Sequence, residues 1–251
     1  MVVEAECRKN TYGLRLMPSW GLWNNDLRIE VSLRQQRLLA FLAVQGTCRR
    51  ELAAGALWPE SPEHCALDNL RVSLHRITSA LPDLVWTDRH AIGLAPRVSV
   101  DLRREWDALG TLDQQEKTQA PGTAPLLLGW YEDWVLDEQA RLLRARTVYW
   151  RRMAGEALAR CDYPSAVDSA VQGLHLDVLD ETSLEMLVVA QIGMGQCISA
   201  LQTIVGFRRR ASYELGIPGS PTLDRLEALV RRTAQTPLLI YPGPALGYGL
   251  F

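Results

Sequence analysis

A chain of 251 residues is long enough for one large domain or two ordinary ones. Hydrophobic residues make up 47% and charged residues 22%, which excludes a wholly disordered chain. A formal net charge of −2 excludes a globally basic nucleic-acid binder, but a reading face needs only local positive charge.

Residues 1–115 carry 14 basic and 14 acidic side chains, and residues 116–251 carry 13 and 15, so neither half is strongly polarised. Lys9 and Lys117 are the only lysines. The remaining cations are arginines, the better fork for base edges and phosphates. The five cysteines (Cys7, Cys48, Cys65, Cys161, Cys197) are odd in number and lack Cys-x-x-Cys spacing. They are expected to be reduced thiols of a cytosolic protein, not a disulfide frame or a zinc site. The start, MVVEAECRKN, balances two acids against two bases and has no apolar stretch typical of a signal peptide. No run approaches the length of a membrane span, so no membrane association is expected.

In chain order, Leu14–Met17 and Leu27–Val31 read as short strands around the turn Asn24-Asn25-Asp26. A helix is predicted from about Leu33 to Val44, with Leu38, Leu39, Phe41 and Leu42 as its apolar stripe. A second, from about Arg49 to Leu57, ends at Trp58-Pro59, because the residue before proline resists helical dihedrals. A third runs from about Pro62 to Leu81, with Ser61 as N-cap, Pro62 at the first position and Glu63 in the first turn. Leu84–Thr87 and Ala91–Leu94 then flank Asp88-Arg89-His90 as a hairpin with a charged tip, and Val98–Leu102 reads as extended. Strands, three helices and a hairpin make a winged helix-turn-helix plan.

The stretch TLDQQEKTQAPGTAP (111–125) reads as a linker. Beyond it the period is helical up to Thr233, with Asp133 to Arg160 forming one long helix or two. Aligning residues 162–174 on 196–208 brings Ser165/Ser199, Ala166/Ala200, Val167/Leu201 and Val171/Val205 into register, an offset of 34 residues. That is the tetratricopeptide period, and a small Ala suits the close packing of paired helices. Leu223–Arg232 would be a capping helix. The tail TPLLIYPGPALGYGLF (236–251) is Pro/Gly-rich with apolar patches. It is either a loose end, one docked on its own helical domain, or a regulatory segment in the helical groove. The fold class is therefore mainly α with small β elements: an N-terminal winged helix-turn-helix followed by an all-α tetratricopeptide-like domain.

The third helix carries the candidate site. At about 100° per residue, Leu67, Leu70, Leu74, Ile77 and Leu81 share the core-facing stripe. Opposite lie Asn69, Val72 and Arg76, with Asp68 and Ser79 nearby, and Arg71 and His75 sit together on one flank. In a DNA groove Arg forks onto guanine, Asn pairs with adenine and Val can contact a thymine methyl. Asp68 counts against a nearby phosphate unless it orients a neighbouring Arg. The short helix and tight turn before this helix match the order in which a second helix enters the major groove. Arg89 and His90 at the hairpin tip would contact a phosphate or the minor groove.

Leu57-Trp58-Pro59-Glu60 and Leu70-Arg71-Val72-Ser73-Leu74-His75-Arg76-Ile77, with Val100-Asp101-Leu102, resemble the winged-helix domain of the SARP family of antibiotic-pathway regulators. The second half is similar to the bacterial transcriptional activator domain. The likeness there rests on Leu127–Val135 (LLGWYEDWV), the Tyr163-x-x-Ala166 repeat with Leu176-Asp177, and Glu214-Leu215-Gly216-Ile217-x-x-Ser220-Pro221. The resemblance spans about residues 12–233. It implies a cytoplasmic, nucleoid-associated transcription activator that binds promoter direct repeats near the −35 region as a pair and contacts RNA polymerase, including its sigma factor. Carried onto this chain it points to Asn69, Arg71, Val72, His75 and Arg76, with Arg89 and His90 at the wing. Pro18 stands where the family often has Gly, and Arg89-His90-Ala91-Ile92-Gly93 departs from the usual Gly-x-Gly-Tyr wing. The implied layout is a DNA-binding domain at 12–110, a linker at 111–125, the helical activator domain at 126–235 and the tail at 236–251. Many relatives continue into ATPase or sensor domains, so any signal is expected to enter this chain by another route.

An enzyme is not expected, nor is a cofactor or metal. His64, His75, His90 and His175 form no metal-type pair, and no phosphate loop or nucleophile elbow appears. Glu132-Asp133 and Asp137-Glu138 read as first-turn acids. The alternative to a DNA reader is an adaptor whose helical repeats bind a protein, with Trp130, Tyr131, Trp134, Tyr149 and Trp150 as its surface and the winged helix as a packing module. The same aromatics otherwise read as core. Likewise Arg208-Arg209-Arg210 reads as a solvated helix end or a face toward a neighbouring protomer or DNA.

Overall fold

The computed structural model describes residues 10–110, 120–217 and 219–235. The chain falls into two units that adjoin in sequence between Arg146 and Thr147.

The first unit begins with a meander of β1 (Tyr12–Arg15), β2 (Gly21–Asn24) and β3 (Leu27–Arg28). The first strand starts two residues earlier than expected, because Tyr12, Leu14 and Leu16 alternate into the core at 3%, 3% and 0% exposure. Strand β2 was not expected from the sequence. The turn into β3 uses Asn25 and Asp26 at φ 48° and 68°, the pair of left-handed residues that matches strand twist in a tight hairpin. Helix α1 (Leu33–Gln45) opens on a capping box. The Ser32 N–H donates to Gln35 Oε1 at 2.9 Å, and the Gln35 N–H donates back to the Ser32 hydroxyl. Then come β4 (Cys48–Arg49), α2 (Arg50–Leu57), α3 (Glu63–Ala80), β5 (Val85–Thr87) and β6 (Ala91–Leu94). β5 and β6 are the expected hairpin, and β4 adds to it in the order β4-β6-β5.

Val98–Leu102 is not extended throughout. Only β7 (Ser99–Val100) pairs, parallel to β1, and Asp101 begins α4 (Asp101–Gly110), a helix the sequence reading lacked. The Asp101 carboxylate accepts from the Leu102 N–H at 2.8 Å and from the Leu16 and Met17 N–H groups at 2.9 Å. It thus serves the start of a helix and the end of a strand 85 residues earlier in the chain.

Asp133–Ala159 is one helix of 27 residues, α5. Its first half belongs to the first unit. Glu132, just before it, pairs with Arg37 at 2.8 Å, and Trp134 meets Phe41 edge-on at 5.4 Å. Arg146, nearly fully buried, pairs with Glu105 at 2.7 Å and donates to the Ala124 carbonyl at 2.8 Å. Glu138, expected as a first-turn acid, lies beyond the first turn of α5 and is buried. Burial pushes its carboxyl up, while the Trp106 N–H at 2.8 Å and Arg141 oppose that.

The second unit stacks α6 (Tyr163–Leu176), α7 (Glu181–Gly193), α8 (Cys197–Leu215) and α9 (Pro221–Gln235), each packed on the next. The 34-residue register appears as two first helices, α6 and α8. Ala166 and Ala200 are both 0% exposed, as close packing requires. Val171 is partly buried, but its counterpart Val205 is 55% exposed. At Gly173 a Cβ would run into the Ser183 side chain, so α6 and α7 approach closely there. Residues 111–119 of the expected linker and the whole 236–251 tail lie outside the described residues; residues 120–125 carry neither helix nor strand. Among the described residues no helix is long and apolar enough to cross a membrane.

Asp180, 4% exposed, caps α7 through the Thr182 N–H at 3.0 Å, accepts from Ser183 and takes a fork from Arg151. Burial raises its carboxyl, but the bonds from Arg151, Ser183 and Thr182 outweigh it and hold the group below the ordinary carboxylate range. A lowered folded-state pKa stabilises the fold above the unfolded value, and that contribution is lost as pH falls through the folded one. Asp180→Asn is therefore expected to cost about 1–3 kcal/mol at neutral pH. The deficit should shrink toward about pH 3. Urea titrations of both proteins at the two pH values, followed by helix content, check this; a pH-independent deficit would contradict it.

Candidate nucleic-acid interface

Helix α2 ends where the Trp58 N–H donates to the Ala54 carbonyl at 3.0 Å, and the Ser61 N–H closes the turn onto the Trp58 carbonyl at 3.1 Å. The guanidinium of Arg34 lies 6.0 Å over the Trp58 ring. Helix α3 starts one residue later than expected. Pro62 occupies the N-cap position, its carbonyl accepting from the Ala66 N–H at 3.0 Å, and Ser61 makes no capping bond. Proline tolerates this place because its missing N–H would have no helical partner.

The inward stripe of α3 is Ala66, Leu70, Ser73, Leu74 and Ile77, with Leu67 only half-buried and Leu81 just past the helix. Ser73 fits this apolar stripe because its hydroxyl donates to the Asn69 carbonyl at 2.8 Å. The outward arc contains Asp68, Arg71, Val72, His75, Arg76 and Ser79, all exposed. Val72 is 44% exposed near its centre. Asn69 sits at the border of the arc and is half-buried, less central than the sequence placed it. The extra buried residue, Ser73, widens the inward stripe on that side and rolls Asn69 toward the core. Asp68 takes Arg71 in an ion pair at 2.6 Å, both ends exposed, so it orients that guanidinium and weakly offsets its charge. Arg76 and His75 make no ion pair among the described residues.

At the hairpin tip, Asp88 Oδ1 accepts from the His90 and Ala91 N–H groups at 2.7 Å each. The bonds from Ala91 and His90, and secondarily the nearby cations, hold the Asp88 carboxyl below its usual range. The loop is thereby pinned, with Arg89 and His90 exposed. Arg50 braces it: its N–H donates to the His90 carbonyl at 3.1 Å and its guanidinium to Thr87 Oγ1 at 2.5 Å. Arg49 was absent from the sequence reading of the site. It is exposed and lies opposite Ala91 in the β4–β6 ladder. Its only sequence signal is the two-residue alternation of Cys48 and Arg49, too short to identify a strand. Among the described residues no His, Cys, Asp or Glu cluster could hold a metal ion.

Of the aromatic set, Trp134 is buried against Phe41, and Trp130 lies between Trp20 and Trp134 at 6.4 Å from each. Tyr131 is 80% exposed, and Tyr149 meets Trp150 edge-on. Arg208 pairs with Asp224 and Glu227, whereas Arg209 and Arg210 are exposed.

Residues 117–231 match the family model of the bacterial transcriptional activator domain. The fold is similar to the solved structure described as Mycobacterium tuberculosis EmbR in complex with a low affinity phosphopeptide, with a TM-score of 0.60. The match covers 89% of this chain and 66% of that one at 14% identity, so this chain spans just under two thirds of EmbR's length and the likeness is one of fold. No curated protein matches the chain.

Burial separates scaffold from surface within α3. Leu74→Ala, which empties a site 3% exposed, is expected to cost about 2–5 kcal/mol. Val72→Ala should stay within about 0.5 kcal/mol of wild type. Equilibrium unfolding of the two variants checks the assignment; similar losses at both positions would overturn it.

Proposed function

We propose that the chain, whose residues 117–231 match the bacterial transcriptional activator domain and whose fold is similar to that of EmbR, is a transcription regulator of the SARP type and a sequence-specific DNA-binding activator. Helix α3 enters the major groove, with Arg71, Val72, His75 and Arg76 facing base edges and Asn69 reaching from the border of the arc. Arg89 and His90 contact the duplex from the wing. The observation that carries this reading is the outward arc of α3: two arginines, a histidine and an exposed valine above a fully packed stripe. A solvating face has no need of a central valine or of forks.

In this reading residues 12–110 form the DNA-binding domain, 111–125 the linker, 126–235 the activator domain and 236–251 an appended tail. The protein acts in the cytoplasm at the nucleoid, without membrane, metal or cofactor, and its work is binding, not catalysis. A net charge of −2 gives one protomer few phosphate contacts, so two protomers share a promoter direct repeat near the −35 region. From there they recruit RNA polymerase through its sigma factor.

The adaptor reading keeps one observation in its favour: α8 exposes Ile198 at 76%, Val205 at 55% and Tyr213 at 92%. Gel shifts with promoter fragments separate the two. Retarded, salt-sensitive complexes are expected, and no binding even at low salt would leave the adaptor. Within the DNA reading, Arg76→Ala should cost about 1–3 kcal/mol on the preferred sequence and relax the preference at one base pair. A uniform loss on all sequences would reassign Arg76 to a phosphate.

A further inference from the structure

Strand β4 sets a cation beside the wing tip, and we infer that Arg49, with Arg89 and His90, forms a clamp for the phosphodiester backbone of DNA that holds the duplex without reading it. This rests on the DNA-binding reading above and adds a residue and a role to it. In the ladder Cys48 faces Ile92 and Arg49 faces Ala91. Cys48 and Ile92 are buried at 8% and 0%, so strand alternation turns Arg49 outward to the side away from the core. Arg49 therefore emerges directly across from the residue that follows Arg89-His90.

The cluster is held before any ligand arrives. The Asp88 carboxylate fixes the loop through the His90 and Ala91 N–H groups, and the Arg50 N–H grips the His90 carbonyl. Two acids lie close by. Asp88 already accepts two backbone bonds, and Glu51 is exposed in the first turn of α2. The cations Arg49 and Arg89, with His90, remain turned to solvent.

The ladder also explains why this cluster grips the backbone and not the bases. The major groove, about 12 Å wide, admits a helix or a two-stranded ribbon. Here β4 makes the ribbon three-stranded, and its Arg49 stands level with Ala91, the first residue of β6. Only Asp88, Arg89 and His90 project past that shoulder, so the sheet edge comes to rest on the phosphates.

The test measures binding of the full chain to a random-sequence duplex and to the strongest sequence selected from it. Arg49→Ala should weaken binding to both duplexes by the same factor. The wild-type advantage should shrink about threefold between roughly 50 and 200 mM salt, as loss of one phosphate contact requires. Arg49→Lys should restore most of the affinity, since a phosphate accepts a point charge where a base fork does not. A loss confined to the selected duplex, or wild-type binding by Arg49→Ala on both, would overturn the clamp while leaving the DNA-binding reading intact. A wild-type protein that binds neither duplex would overturn both.

Discussion

The first unit turns on how α3 is seated. Ala66, Leu70, Ser73, Leu74 and Ile77 lie against α1 and α2, and burying them leaves one rotation of the helix open. Once that rotation is set, Asp68, Arg71, Val72, His75 and Arg76 are outward whatever their chemistry. Ser73 is instructive because its hydroxyl is satisfied within the helix, which lets a polar residue join the stripe without an unmet bond. That widening leaves Asn69 at the border of the arc.

Around this helix the unit is tied by polar contacts between segments far apart in sequence. Asp101 joins the end of β1 to the start of α4, and Arg37 reaches Glu132 across 95 residues. Glu105 receives Arg146 in a nearly dry pair. Such buried pairs contribute little net stability against an apolar replacement, but leaving one partner unpaired is costly. The Glu105–Arg146 pair ties α4 to the first half of α5. This is also why the first unit runs to Arg146, past the point where the match to the activator domain begins at residue 117.

The electrostatics are local in the same sense. With a net charge of −2 the chain has no long-range pull on a polyanion. Its cations matter where they are held: Arg71 by Asp68, and the wing loop by Asp88 and Arg50. An acidic residue in each cluster lowers the net charge and raises the order.

Local patterning of apolar, proline and turn residues was enough for α1, α2, α3 and the β5–β6 hairpin, and aligning the chain on itself was enough for the 34-residue repeat. The Leu70-Leu74-Ile77 stripe, and with it most of the outward set, was legible for the same reason. Strand β2, strand β4 and helix α4 were not. Each is short or depends on partners distant in the chain: β4 on Ile92 and Ala91, α4 on the β1 end that Asp101 also serves. The exact roll that half-buries Asn69, and the placing of Arg49 beside the wing, likewise arose only in three dimensions. Two residues of alternation carry no signal until another strand gives them hydrogen bonds, and an aspartate's second role is invisible until the chain returns to it.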